Sequence, residues 1–270
     1  MRPNTVKQRL QNGESIINGW LVIPSPLSAE VVGLSGCDSV VVDLQHGMIG
    51  FDAALPMLQA LSATPAIPLV RAPANDGPTI MRLLDAGAYG VICPMISTPE
   101  QAQAFVSACR YPPKGDRSFG PSRALLFGGD DYYGHADESI LTLAMIETQQ
   151  GLDNVDDILG VDGLDGVFIG PNDLSLALGQ APSSEPDAEV VVQAIAHILA
   201  RAQVHGKIPG IFCSSGQAAG KRLEQGFKFV VPGNEFTHLK QAAAAAVNQA
   251  QGSLNSQGSQ RSTGHGAGGY

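Results

Sequence analysis

The sequence predicts a closed (β/α)8 barrel, and three observations carry that prediction. Short apolar, β-branched runs alternate with segments of helical spacing, eight times along the chain. Several of the runs stop abruptly at polar residues, as Val40-Val41-Val42 does at Asp43-Leu44-Gln45-His46-Gly47. A strand buried on both faces reads as such a continuous run, and ligands gather at its carboxyl end. The polar ends are also evenly spaced. Arg71 lies 25 residues after His46, and Asp173 lies 26 after Glu147. Each interval is one βα unit, so each pair stands level on neighbouring strands.

The elements follow in order. A helix over about 5–12 precedes a first strand near 20–23, which Pro24 and Pro26 end. A helix over 28–34 leads to the Val40 strand. Residues 51–62 carry Ala54, Leu55, Leu58 and Leu61 on one helical face. A strand over 65–70 ends in Arg71; Asn75, Asp76 and Pro78 then open a helix that runs to Ala86. The fourth strand covers 89–95, and Ser97 or Thr98 caps a helix ending near Cys109. Residues 111–137, rich in Gly, Pro, Arg and Asp, break the rhythm; long insertions are usually functional or interface-forming. Strands over 141–146, 166–169, 208–213 and 227–231 follow, with helices between them. An alanine-rich helix over 235–249 closes the domain, taken as residues 1–251. Residues 252–270 reduce largely to Gly, Ser, Gln and Asn and are expected to be a disordered tail.

Bulk properties narrow the function. The chain has 270 residues, 44% of them hydrophobic, enough for one large core. A net charge of −9 argues against nucleic acid as a partner. No uninterrupted apolar stretch is long enough to span a membrane. Residues 1–13 are polar and do not resemble a signal peptide. The four cysteines show no CxxC spacing and sit in or beside apolar segments, which suggests buried free thiols and a cytoplasmic protein.

Four strand-end residues carry the chemistry. Glu147 and Asp173 would stand close enough to share one ion; unpaired, they would repel and one would stay protonated. Oxygen-only ligation suits Mg²⁺, Mn²⁺ or Co²⁺. The competing reading is that each caps the helix after it. Arg71 could grip a carboxylate or phosphate, or simply pair with Asp43 or Asp76. His46 can exchange protons near neutrality, with Asp43 three residues before it to orient or tune the site; otherwise it is a structural histidine. No lysine ends a predicted strand: Lys207 and Lys228 lie at strand starts. A Schiff-base mechanism therefore lacks its amine, and carbonyl activation would fall to a Lewis-acid metal.

Together these residues resemble the HpcH/HpaI aldolase family, the metal-dependent pyruvate aldolases among the citrate lyase-like, phosphoenolpyruvate/pyruvate-type barrels. The resemblance spans roughly residues 20–233. It rests on Asp43-Leu44-Gln45-His46-Gly47, Val70-Arg71, Leu84-Asp85-Ala86-Gly87-Ala88, Arg110-Tyr111-Pro112-Pro113-Lys114-Gly115, Ile146-Glu147-Thr148 and Asp165-Gly166-Val167-Phe168-Ile169-Gly170-Pro171-Asn172-Asp173-Leu174-Ser175.

The resemblance implies that Glu147 and Asp173 hold the metal and that a 2-oxo acid, typically pyruvate, chelates it. Arg71 would steady the enolate, and His46 would move the proton through a water during reversible addition to an aldehyde. Backbone amides near Gly170 and Asn172 would hold the substrate carboxylate. Trp20 and Phe212 are candidates for the aldehyde pocket or for packing. In the family the aspartate matching Asp85 is tied to the catalytic histidine. A helix end faces away from the barrel mouth, so Asp85 is expected to serve a neighbouring subunit, or else to pair with Arg82. The family further implies a homo-oligomer, trimer or hexamer, with an exchanged C-terminal helix. Two departures stand out: some relatives carry Glu at Gln45, and some carry Gln at Met145. A citramalyl- or malyl-CoA-type lyase and a non-catalytic 2-oxo acid-binding barrel are the rival expectations.

Overall fold

In the computed structural model the backbone is described for residues 1–262 and the side chains for residues 1–251. Helix α1 (Thr5–Gln11) comes first, its N-cap Asn4 accepting from the Lys7 N–H. Strand and helix then alternate: β1 (Ile16–Leu21), α2 (Pro26–Gly33), β2 (Ser39–Asp43), α3 (Phe51–Leu61), β3 (Ile67–Arg71), α4 (Gly77–Asp85), β4 (Gly90–Cys93) and α5 (Pro99–Cys109). Two short helices, α6 (Ser122–Gly128) and α7 (Tyr132–Ser139), fill the segment that breaks the rhythm. The second half adds β5 (Leu141–Ile146), α8 (Gln149–Asp153), α9 (Val155–Leu159), β6 (Gly166–Ile169) and α10 (Pro171–Ala177). It ends with α11 (Glu189–Val204), β7 (Ile208–Cys213), α12 (Gly216–Gln225), β8 (Phe229–Pro232) and α13 (Glu235–Ser262).

The strands pair in parallel in the order β1 to β8, and β1 pairs β8, so the sheet closes into the expected (β/α)8 barrel. Met1–Glu235 is one compact unit, and a second unit begins at Phe236. Helix α13 is traced to Ser262, beyond the expected end at 249; the expected tail falls in part on residues outside those described.

Strand parity sorts the side chains into two cores. Val40, Val42, Val70, Ala144, Ile146, Val167 and Ile169 pack outward against the helices. Trp20, Val41, Leu69, Leu143, Met145, Phe168 and Phe229 pack inside the barrel. Side chains alternate along a strand, so Asp43, Arg71 and Glu147 inherit the inward direction of Val41, Leu69 and Met145.

Two strand limits differ from expectation. β1 starts at Ile16 because its polar Asn18 is buried and satisfied: the Ser39 hydroxyl donates to Asn18 Oδ1 at 2.7 Å. β4 stops at Cys93 because Pro94 has no N–H and Met95 turns into the left-handed region, φ +57°. No pair of cysteines is bridged; Cys93, Cys109 and Cys213 are buried, and Cys37 is half-buried. Among the described residues no helix is long and apolar enough to cross a membrane.

Candidate active site at the carboxyl rim

The β2–β3 register sets Asp43 directly beside Arg71. The guanidinium donates through Nε at 2.8 Å and Nη2 at 2.5 Å to the two carboxylate oxygens, a bidentate fork. Trp20 Nε1 donates to the same carboxylate at 3.1 Å, and its ring lies 5.0 Å from the Arg71 guanidinium carbon. Burial alone would raise the Asp43 pKa. The bonds from Arg71 outweigh it, aided by Trp20 and the Gln45 N–H, and hold the carboxyl below the ordinary range. Arg71 Nη1 has no hydrogen-bond partner among the described residues. Asp43 therefore fixes Arg71 with one guanidinium nitrogen left for another acceptor.

The strand then turns sharply. Asp43 Oδ1 accepts from the backbone N–H of Gln45 and of His46, at 3.0 and 3.3 Å. A side chain at Gly47 would collide with the Asp43 carbonyl, which explains the glycine closing the motif. The turn leaves the His46 ring exposed, with no hydrogen-bond partner among the described residues. Asp43 touches His46 only through the backbone, so it shapes the loop and does not orient the imidazole directly.

Glu147 follows β5 and is 2% exposed. Its Oε1 accepts the Met95 N–H at 2.8 Å. Oε2 occupies the space a side chain at Gly170 would need, so a larger residue there would displace the carboxylate. Burial, first of all, and then the Asp173 charge push the Glu147 pKa up to about 7; the Met95 N–H and Arg71 pull the other way. Asp173 lies half-buried in the first turn of α10, whose N-cap is Gly170. The Asn172 carboxamide donates to the Ser184 hydroxyl at 3.1 Å, linking α10 to the loop before α11.

Among the described residues no group of three or more His, Cys, Asp or Glu clusters as a metal cage. The donor set here is two carboxylates. It fits a hard cation that keeps positions open for water and substrate. A buried carboxylate that feels a like charge, with Oε2 packed on a glycine and free of hydrogen-bond donors among the described residues, fits a cation ligand. Gln45 Oε1 is also buried without a partner close by.

Trp20 is almost fully buried, stacked on Phe168 and edge-on to Phe212, both at 5.6 Å between ring centroids. Phe212 is half-buried and is the more accessible of the two aldehyde-pocket candidates. Asp85 stands apart from these residues. It ends α4 just before β4, on the amino side of the barrel, away from His46. Its partner is Arg117 at 2.8 Å, not Arg82, which instead lies over the Phe51 ring. Arg117 is fully buried between Tyr111 and Tyr132. An arginine inside an irregular insertion gives no sequence cue to that burial. Met95 was equally hidden, because its contribution is a backbone N–H.

Comparison with known proteins identifies the family. The family model described as HpcH/HpaI aldolase/citrate lyase matches residues 18–242. The chain is 46% identical over 248 residues to a hydroxypyruvate/pyruvate aldolase of Rhizorhabdus wittichii, covering 92% of this chain and 99% of that protein. It is 40% identical over 243 residues to a 5-keto-4-deoxy-D-glucarate aldolase of Escherichia coli, covering 89% and 94%. Its fold superposes with a TM-score of 0.87, at 30% identity, on an HpcH/HpaI aldolase/citrate lyase family protein of Burkholderia cenocepacia, covering 92% and 99%. The chain belongs to the HpcH/HpaI aldolase/citrate lyase family and is a carbon–carbon lyase of the aldolase kind.

Proposed function

We propose that this aldolase reversibly cleaves 4-hydroxy-2-oxo acids to pyruvate, or a related 2-oxo acid, and an aldehyde, with a divalent cation held by Glu147 and Asp173. The observation that supports this most is the Glu147 carboxylate: buried, raised toward neutrality by that burial, and close enough to Asp173 to feel its charge. When bound, a Mg²⁺, Mn²⁺ or Co²⁺ ion would draw electron density from the keto group and make the neighbouring carbon acidic.

The chain's own residues do the rest. Arg71, locked by Asp43, turns its free Nη1 to the oxygen on which negative charge develops. His46, exposed at the rim, takes and returns the proton through a water. The backbone at Gly170 and Asn172 seats the substrate carboxylate. Phe212, backed by Trp20, forms the apolar wall that the aldehyde meets. Asp85 serves the site of a neighbouring subunit in a homo-oligomer, with Arg117 holding it in place.

The relatives named as acting on hydroxypyruvate, pyruvate and a keto-deoxy sugar acid favour a polar, hydroxylated substrate. The test is exchange of pyruvate C3 protons with deuterated water. Exchange should stop in excess chelator and return with Mn²⁺. A protein that only binds the acid will not exchange, and exchange that persists in chelator refutes the cation. Cleavage of CoA thioesters in place of hydroxy-oxo acids would transfer the assignment to a malyl-CoA-type lyase.

A further inference from the structure

Met95 holds a backbone conformation that a methionine does not favour. Among the described residues it is the one non-glycine with positive φ, at +57°, in the region glycine normally fills. The residues after it are pinned. Ile96 N–H donates to the Met145 carbonyl at 3.2 Å, and Ser97 N–H to Gln101 Oε1 at 2.7 Å. The Ser97 and Thr148 hydroxyls meet at 2.7 Å, and Asn154 Nδ2 donates to the Ser97 carbonyl at 2.8 Å. Strain of this kind persists where the surroundings over-determine it, and it concentrates at functional sites.

The outcome of the turn is one bond: the Met95 N–H reaches Glu147 Oε1 at 2.8 Å. No other hydrogen bond reaches that carboxylate among the described residues. The two oxygens are thus unequal. Oε1 takes a fixed donor, and Oε2 packs against Gly170 with no donor on it among the described residues.

We propose that Met95 is a positioning residue whose left-handed backbone donates to Oε1 of Glu147 and so reserves Oε2 for the divalent cation. This rests on Glu147 being a cation ligand. The atom that matters is the amide, so glycine at 95 preserves the function and loss of the N–H destroys it.

Two variants test this. One replaces Met95 with its α-hydroxy analogue, which exchanges the amide for an ester and deletes the N–H while keeping the side chain. The other is Met95→Gly. Mn²⁺ affinity is measured by electron paramagnetic resonance on folded, metal-free protein, with circular dichroism confirming the fold. The ester should bind Mn²⁺ about tenfold or more weakly, as expected for a lost hydrogen bond to a charged group. The glycine variant should stay within about twofold of the parent and melt no earlier, because glycine relieves the φ. At saturating Mn²⁺ the ester's kcat should return toward the parent value.

Parental Mn²⁺ affinity in the ester overturns the proposal. So does a glycine variant that binds Mn²⁺ about tenfold or more weakly than the parent, a result that decides the matter even if the ester does not fold. Glu147→Gln separates the two layers. If it abolishes Mn²⁺ binding while the ester is silent, only the Met95 proposal falls. If it leaves binding intact, the ligand assignment falls and takes the proposal with it.

Discussion

The two ends of the barrel treat buried acids in opposite ways. At the amino end Asp165, just before β6, faces Lys7 Nζ at 2.9 Å and also accepts from the Thr142 N–H and hydroxyl. Lys7 donates as well to the Ile140 carbonyl at 2.9 Å. At the carboxyl end Glu147, just after β5, has one N–H and a second acid for company. Both acids are largely withdrawn from water, yet among the described residues only Asp165 forms an ion pair; Glu147 feels Arg71 from a distance. The amino end is a finished structural joint that latches α1 to the barrel. The carboxyl end keeps a buried carboxyl beside a second acid.

One substitution at each end should break the molecule in different ways. Glu147→Gln should lower kcat/KM by at least about 10³-fold, roughly 4 kcal/mol of lost stabilisation of developing charge. Above pH 7 the same change should raise the melting temperature of metal-free protein, since it removes a buried charge that the folded state disfavours. Steady-state kinetics and calorimetry check the pair; a variant both inactive and less stable above pH 7 contradicts that reading.

Lys7→Met should do the reverse. Losing the Lys7 ammonium leaves Asp165 with Thr142 and the more distant Arg110 guanidinium, 3.7 Å away, and should cost about 2 kcal/mol of stability in urea unfolding. The kcat/KM of the folded fraction should be unchanged. A large loss of activity per folded molecule would couple the two ends and erase the contrast.

The pH dependence of stability sharpens the comparison. The folded Glu147 pKa of about 7 lies above its unfolded value, so the folded state holds a proton that the unfolded chain releases. Its contribution is complete below the ordinary glutamate range and is lost as pH rises through 7, about 3 kcal/mol across the window. Melting temperatures of metal-free protein should fall between pH 5 and 8 by that mechanism. Saturating Mn²⁺ should flatten the curve, and so should Glu147→Gln. The smallest effect belongs to the aldehyde wall. Phe212→Leu should change the KM for the aldehyde by about threefold, the scale of a small change in apolar contact, while pyruvate C3 exchange stays constant.

Much of this was legible in the chain because a barrel strand has period 2. Parity from Val41, Leu69 and Met145 carries Asp43, Arg71 and Glu147 inward, and the even βα spacing sets them on one rim. The family motifs pointed to the same residues. Partner choice was less legible. The preference of Arg71 for Asp43 over Asp76 depends on strand register, and the pairing of Asp85 with Arg117 depends on how an irregular segment folds back. The left-handed turn at Met95 has no signature, because glycine is the residue that announces such a turn. Asn18 hid the first turn of β1 because its burial depends on a hydroxyl supplied by the next strand.

The most direct measurement is anomalous diffraction from crystals soaked with Mn²⁺ and pyruvate. A manganese peak should lie between Glu147 Oε2 and the Asp173 carboxylate, with pyruvate against it and Arg71 Nη1 within hydrogen-bond reach of the keto oxygen. A manganese ion bound elsewhere, with those two carboxylates still facing each other across water, would contradict the assignment of this rim as a cation-dependent aldolase site.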